Sequence, residues 1–139
     1  MISNNTCMNT GLGSFQKWRI GSIVREILLG NADLYALVGE DIFPIVAPEG
    51  TLGNFIVYRR DKYSKEYTKL GVVDDVCHLA VSAIADNYDT ALDIAVLLDN
   101  TLTGKHTTSN GENFIMKLID STEDFGDNKY VETLLFEIK

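Results

Sequence analysis

The chain has little of what dedicated chemistry is built from. Its 139 residues include two cysteines, two histidines, two prolines and one tryptophan. Cys7 and Cys77 are far apart and lack CxxC spacing, which argues against a disulfide framework or a zinc site. Cys77 lies in an apolar, strand-like run and reads as a small core residue. Neither His78 nor His106 has a Ser, Cys or carboxylate at a recognisable motif spacing. Triad partners meet in space, so spacing alone does not exclude one, but nothing favours it and His78 reads as structural. No apolar run exceeds five residues (IAVLL, Ile94 to Leu98), which is too short for a membrane-spanning helix. The opening MISNNTCMNTGLGSF has neither a basic n-region nor an apolar h-region, so no secretion signal is expected. Without export, the glycosylation pattern at Asn4-Asn5-Thr6 carries no weight.

What the chain does have is the composition of one globular domain: 45% apolar and 23% charged residues. The formal net charge is −8, and it is unevenly spread. Residues 59–69 hold five basic and two acidic side chains (+3), while the remainder holds seven basic and eighteen acidic (−11). An acidic body repels nucleic acid, so DNA would slide past such a surface. The basic segment YRRDKYSKEYTK (Tyr58 to Lys69) interleaves cations with tyrosines, as a single-strand groove does. Strict strand alternation would instead put Arg60, Lys62 and Ser64 on one face and Arg59, Asp61, Tyr63 and Lys65 on the other, dividing the cations.

Residues 1–16 are polar and Gly/Asn-rich and read as a flexible arm, leaving 17–139 as a single α+β domain. Apolar residues at three- and four-residue intervals from Trp18 to Leu29 predict a first helix. Asn31 and Gly39 bracket a short second one. Pro44 and Pro48 keep DIFPIVAPEGTLG extended and turn-rich. NFIVYRR (54–60) and DVCHLAVSAIAD (75–86) read as strands, the second apolar on both faces and therefore covered on both. The basic segment and the turn at Gly71 then form the far part of a long β-hairpin. A second main helix runs from its cap at Asn87 to a stop at Gly104. NFIMKLID (113–120), a turn at STEDFGDN and KYVETLLFEIK (129–139) close the chain. The expected fold is an antiparallel sheet with a projecting hairpin, packed against two main helices.

Two motifs fail on inspection. GKHTTS (104–109) lacks the first P-loop glycine, where Asp99 stands, and has His106 where the motif needs Ser or Thr; it reads as a helix cap and loop. STEDFGDNKYVE (121–132) puts Gly126 and Glu132 at EF-hand positions, but Ser121 and Phe125 stand where oxygen ligands belong, leaving an acidic hairpin turn. No catalytic, metal or cofactor-binding residue emerges.

On a helical wheel the second main helix is apolar over about 200°, from Ile94 round to Val96. Leu97 falls on the opposite side and Asp99 inside the apolar arc. Spacing leaves two readings open: a deeply packed helix with one exposed leucine, or a helix packed on its own sheet and on another subunit.

LYALVGEDIFPIVAPEGTLGNFIVYRR and VSAIADNYDTALDIAVLLDNTL, with Tyr88 and Ala91 forming a YxxA step, together with the closing YVETLLFEI, resemble the tail completion (tail terminator, or head–tail joining) proteins of long-tailed phages and prophages. The likeness runs from about Ile20 to Ile138, with Asn54 departing from the family's usual proline. It implies a non-enzymatic virion protein, assembled in the bacterial cytoplasm, whose ring (commonly six subunits) caps the head-proximal end of the tail tube. Its partners would be copies of itself, the tube protein, a head-completion or neck protein, and genomic DNA passing the lumen without tight binding; no membrane is involved. The expected subunit interface comprises Arg59, Arg60, Lys62, Tyr63, Lys65 and Tyr67 of the hairpin with Ile94, Leu97 and Asp99 of the helix. Another neck position, or a small nucleic-acid-binding module using residues 58–69, are the alternatives.

Overall fold

The computed structural model describes residues 13–139. Residues 1–12 of the expected arm lie outside the described part, whereas its last residues belong to a helix. That helix, α1 (Ser14–Trp18), is separated by Arg19 from α2 (Ile20–Leu29), which is the expected first helix starting two residues later. Ile20, Val24 and Leu28 recur every fourth residue along α2 and are fully buried. In α3 (Ala32–Val38) the Asn31 side chain caps the backbone N–H groups of Asp33 and Leu34, and Gly39 ends the helix at φ +60°. The same device starts α4 (Tyr88–Leu102), where Asn87 accepts from Asp89 and Thr90. Ala91, Ile94, Leu98 and Leu102 then line its buried face.

Six strands form one sheet in the order β1-β2-β3-β6-β5-β4: β1 (Ile42–Pro44), β2 (Phe55–Thr68), β3 (Gly71–Ala85), β4 (Gly104–Thr107), β5 (Asn113–Gly126) and β6 (Lys129–Ile138). The expected antiparallel pairing holds for four of the five contacts; β1 pairs with β2 in parallel. Gly104 does not end a helix in a loop. Thr103 is the cap, and Gly104 opens the short edge strand β4, which contains the P-loop-like residues Gly104 to Thr107.

The closing hairpin is longer than expected. Ser121 to Gly126 belong to β5, and only Asp127 and Asn128 make the turn, with φ of +53° and +62°. Two successive residues in this region are what a two-residue type I′ turn demands, and Asp and Asn are among the side chains that tolerate it. Acidic composition disguised a strand as a loop.

The helices pack on one face of the sheet, against Cys77, Leu79, Val81, Ala83 and Ala85 of β3 and Leu134, Phe136 and Ile138 of β6. Gly21 of α2 sits so close to the buried Tyr58 ring that an added Cβ would lie 2.7 Å from it, so this helix–strand approach requires glycine. The other face of β3 carries no described helix, and the expected cover on both faces holds there in part: Ala80 and Ile84 are buried, while Val76, His78 and Ser82 are half-buried. Residues of the loop after β1 only rim one end of it, leaving a hollow of about 510 Å³ over Phe55, Val57, Ser82, Ile84 and Val131.

Candidate assembly surface

The two long hairpins project from opposite ends of the sheet. Lys129, at the start of β6, pairs with Asp86 at 2.6 Å and donates to the Gly53 carbonyl, so the β5–β6 turn lies where β2 begins. The β2–β3 turn, with Gly71 at φ +115°, lies at the far end, and from Lys65 to Thr68 its first strand is exposed.

Side-chain alternation in β2 is interrupted. Arg60 pairs with Leu79 but Lys62 with His78, so Asp61 is an extra residue in a β-bulge. The bulge re-aims the charges. Arg59 and Lys62 now share the helix-free face, where Arg59 meets Asp61 at 3.1 Å. Arg60 and Tyr63 share the helix side. This corrects the face assignment obtained from strict alternation, while the cations remain divided.

On the helix side, α1 locks the root of the hairpin. The Arg60 guanidinium lies 4.2 Å from the centre of the Trp18 ring and donates to the Trp18 carbonyl. Tyr63 meets the same ring edge-on at 5.7 Å. Beneath them the Lys17 ammonium lies 2.6 Å from Asp75, which also accepts from the Tyr63 hydroxyl. Burial acts to raise the Asp75 pKa, but the hydrogen bonds and charge of Lys17, with the Tyr63 hydroxyl, outweigh it and hold the carboxyl below its ordinary value. Next to them, burial raises the pKa of the Cys77 thiol, as suits an inert core residue.

Of the remaining interface residues expected from sequence, Lys65 lies 5.9 Å over the Tyr63 ring and Tyr67 is 70% exposed. Tyr58, counted among the interleaved aromatics, is buried in the core. The helix residues fare differently. Ile94 is fully buried in this chain's own core and has no surface to offer. Leu97 is half-buried because α3 leans on that side of α4; the exposed apolar residue is Val96. Together they line a hollow of about 440 Å³ with Asp33, Ala36, Leu37 and Asp93. Asp99 is half-buried and accepts from the Thr103 hydroxyl at 2.6 Å, a short local cap at the end of the helix.

This changes what substitutions on α4 will do. Leu97→Asp forces a carboxylate against α3 and should destabilise the fold by about 1–2 kcal/mol. Val96→Asp should stay within about 0.5 kcal/mol of the wild type. Urea melts of the two variants check this, and equal midpoints would remove α3 from the account.

Sequence reading missed two features. One is the loop after β1: Ile45, Val46 and Leu52 are 71–84% exposed, and Ile45 sits at φ +68°, an uncommon region for a β-branched residue. The other is an acid pair. Glu132 is buried, faces Glu123 directly across the β5–β6 pair, and is hydrogen-bonded to it; the Tyr88 hydroxyl donates to Glu123 at 2.6 Å. Burial, then the Glu123 hydrogen bond and charge, push the Glu132 pKa up to about 7. Recognising Asp127-Asn128 as a two-residue turn would have paired these glutamates by counting outward.

Among the described residues, no group of three or more His, Cys, Asp or Glu side chains could hold a metal ion, and no helix is long and apolar enough to cross a membrane.

No protein-family model matches the chain, and no curated protein does. Solved structures do. A chain from the virion of a native gene transfer agent particle superposes with a TM-score of 0.71 at 21% identity, covering 86% of this chain and 92% of its own. A second solved protein superposes with a TM-score of 0.55 at 10% identity, over 91% of this chain and 96% of its own. At these identities the likeness is one of fold.

Proposed function

We propose that this chain is a non-enzymatic structural protein of a phage-like virion, forming a ring that closes the head-proximal end of a tail tube. The ring ends tube growth and presents the surface to which the head docks. The observation that carries this reading is the fold shared, over nearly the whole chain, with a component of a gene transfer agent virion. The resemblance of LYALVGEDIFP and its following segments to tail completion proteins supports the tail-end position. On this reading six copies assemble in the cytoplasm of a bacterial host. The ring meets the tube protein on one side and a neck or head-completion protein on the other. Genomic DNA passes the lumen without tight binding, as suits a chain of formal net charge −8.

The hairpin contributes to assembly in this proposal, and its chemistry suits that better than nucleic-acid binding. Arg60 is committed to Trp18, Arg59 to Asp61, and Tyr58 to the core, which leaves Tyr67 as the one described tyrosine of the segment that is largely exposed. A second reading places the chain elsewhere in the neck, because the matched chain comes from a whole particle.

Electron microscopy of the purified protein mixed with its tail tubes tests the proposal. Extra density at one tube end and arrested elongation are expected. Tubes that elongate unchanged with bare ends would overturn it, and density on head portals alone would favour the neck position. Single-strand oligonucleotide binding should be weak even at about 50 mM salt, where phosphate contacts are strongest. Micromolar binding would restore the nucleic-acid module.

A further inference from the structure

Among the described residues the sheet has two long edges with no partner strand, and they carry opposite charge. β1 pairs only with Ile56 to Tyr58 of β2, so from Arg59 to Thr68 no described strand lies on that edge. At the other side of the sheet, β4 pairs only with Asn113 to Met116 of β5. From Lys117 to Gly126 that edge is likewise without a described partner strand. Each such stretch is ten residues, roughly 30 Å of strand edge. The β2 edge holds four cations (Arg59, Arg60, Lys62, Lys65) against two acids, and the β5 edge three acids (Asp120, Glu123, Asp124) against one cation.

We infer that the β2 edge of one copy pairs with the β5 edge of the next, so that the sheet runs continuously from subunit to subunit. The inference rests on the ring reading above and supplies its contact. Three observations select this pairing. Lysine and arginine on one edge disfavour β2 against β2, and carboxylates disfavour β5 against β5. Only the unlike pair is attractive, which makes the interface heterologous and able to close into a ring. Direction agrees as well. Three successive antiparallel contacts, β2–β3, β3–β6 and β6–β5, make β2 and β5 run oppositely within one sheet. A rotation axis roughly along the strands preserves that, so the new junction is an ordinary antiparallel pair. Finally, both edge strands bulge at the same level: Asp61 is extra beside Leu79, and Ile119 is extra beside Phe136, which pairs with Leu79. Paired bulges increase local twist and bend, as a closing sheet requires.

A consequence concerns the lumen. The described helices sit on one face, so a closed sheet with helices outside would turn the helix-free face inward. There Arg59, Asp61, Lys62, Lys117, Asp120 and Asp124 meet the passing genome as a mixed set of charges.

Charge reversal tests the pairing without touching the Trp18 cluster or the acid pair. Arg59→Glu with Lys62→Glu makes both edges acidic, and Asp120→Lys with Asp124→Lys makes both basic. All four side chains are exposed, so the fold should survive, which circular dichroism and urea melts check. Each double variant should self-associate on the order of tenfold or more weakly than the wild type by sedimentation and native mass spectrometry. The chain carrying all four reversals should recover association, and so should an equimolar mixture of the two doubles, as alternating rings. Hydrogen exchange should slow along residues 59–68 and 117–126 on assembly.

Doubles that associate like the wild type, or losses that neither the four-fold variant nor the mixture restores, would overturn the inference. So would a wild type that never self-associates, or a β2 edge already protected in the dilute monomer, which would assign that edge to residues of its own chain. The two readings fail separately. Rings that form through these edges but do not stop tubes would sink the tail-end function alone. Capping retained in the associating doubles would sink the edge pairing alone.

Discussion

Asp75→Ala should lower the stability of the folded chain by about 2–3 kcal/mol at pH 7. The Lys17 and Asp75 side chains are 10% and 22% exposed and lie 2.6 Å apart, so the pair is largely withdrawn from water. Deleting the carboxylate leaves the ammonium in place without its counter-charge, and removes the acceptor of the Tyr63 hydroxyl. An uncompensated, mostly buried charge is the expensive outcome, far more than the loss of a surface ion pair. Replacing both partners, as in Lys17→Met with Asp75→Leu, should recover most of the loss, because no charge is then stranded. The pH dependence has a definite sign. A carboxyl whose folded pKa is depressed stabilises the fold above its unfolded value, 3.8, and this stabilisation is lost as the pH falls through the folded value. Urea melts at pH 7 and pH 3 should therefore show the wild-type advantage over Asp75→Ala shrinking in acid. A single variant as stable as the wild type at neutral pH would mean that the pair is solvated and that α1 is held by the Trp18 ring alone.

That pair marks the limit of what sequence reading reached. Helix caps were legible because Asn31 and Asn87 declare themselves locally, one residue before an apolar period begins. The β2–β3 hairpin was legible because two strand patterns flank a basic insert with a glycine turn. The cluster at its root was not, since Lys17 and Asp75 are 58 residues apart and no local pattern joins them. Bulges are equally silent. A single extra residue at Asp61 leaves composition and approximate alternation intact, yet it turns every later side chain over. Leu97 was misplaced for a related reason: a wheel measures one helix against one imagined partner, and α3 supplied a second. Where sequence reading failed, then, it failed at contacts between elements, which are also what an assembly surface is made from.

Glu132→Gln should stabilise the protein at pH 8 by about 1–3 kcal/mol and change little near pH 4. Glu132 is only 8% exposed, and it is hydrogen-bonded to another carboxyl, Glu123, on the facing strand. Two carboxyls this close are stable while they share a proton and strained when both ionise. Burial first, and then the hydrogen bond and charge of Glu123, raise the pKa to about 7 from an ordinary value of 4.5. Since the folded form holds the proton more tightly than the unfolded chain, stability from this group is complete below about pH 4.5. It falls as the pH rises through about 7, where the native state must surrender the proton. The amide of glutamine supplies a donor to Glu123 that no longer titrates, so the variant should escape the loss. Tyr88, which starts α4 and bonds to Glu123, should titrate late, near its raised value of about 12. Melting curves from pH 4 to pH 8 decide the matter. The wild type should lose stability across that window relative to Glu132→Gln, and parallel profiles would mean that the pair is wet and ionised throughout. Because Glu132 of β6 shares its proton with Glu123, which lies in the proposed acidic edge on β5, the same titration should tune assembly. Ionisation above pH 7 adds negative charge next to Asp124, which strengthens attraction to a basic β2 edge while weakening the strand that offers it. The balance is readable as the pH at which association peaks, and Glu132→Gln should flatten that peak.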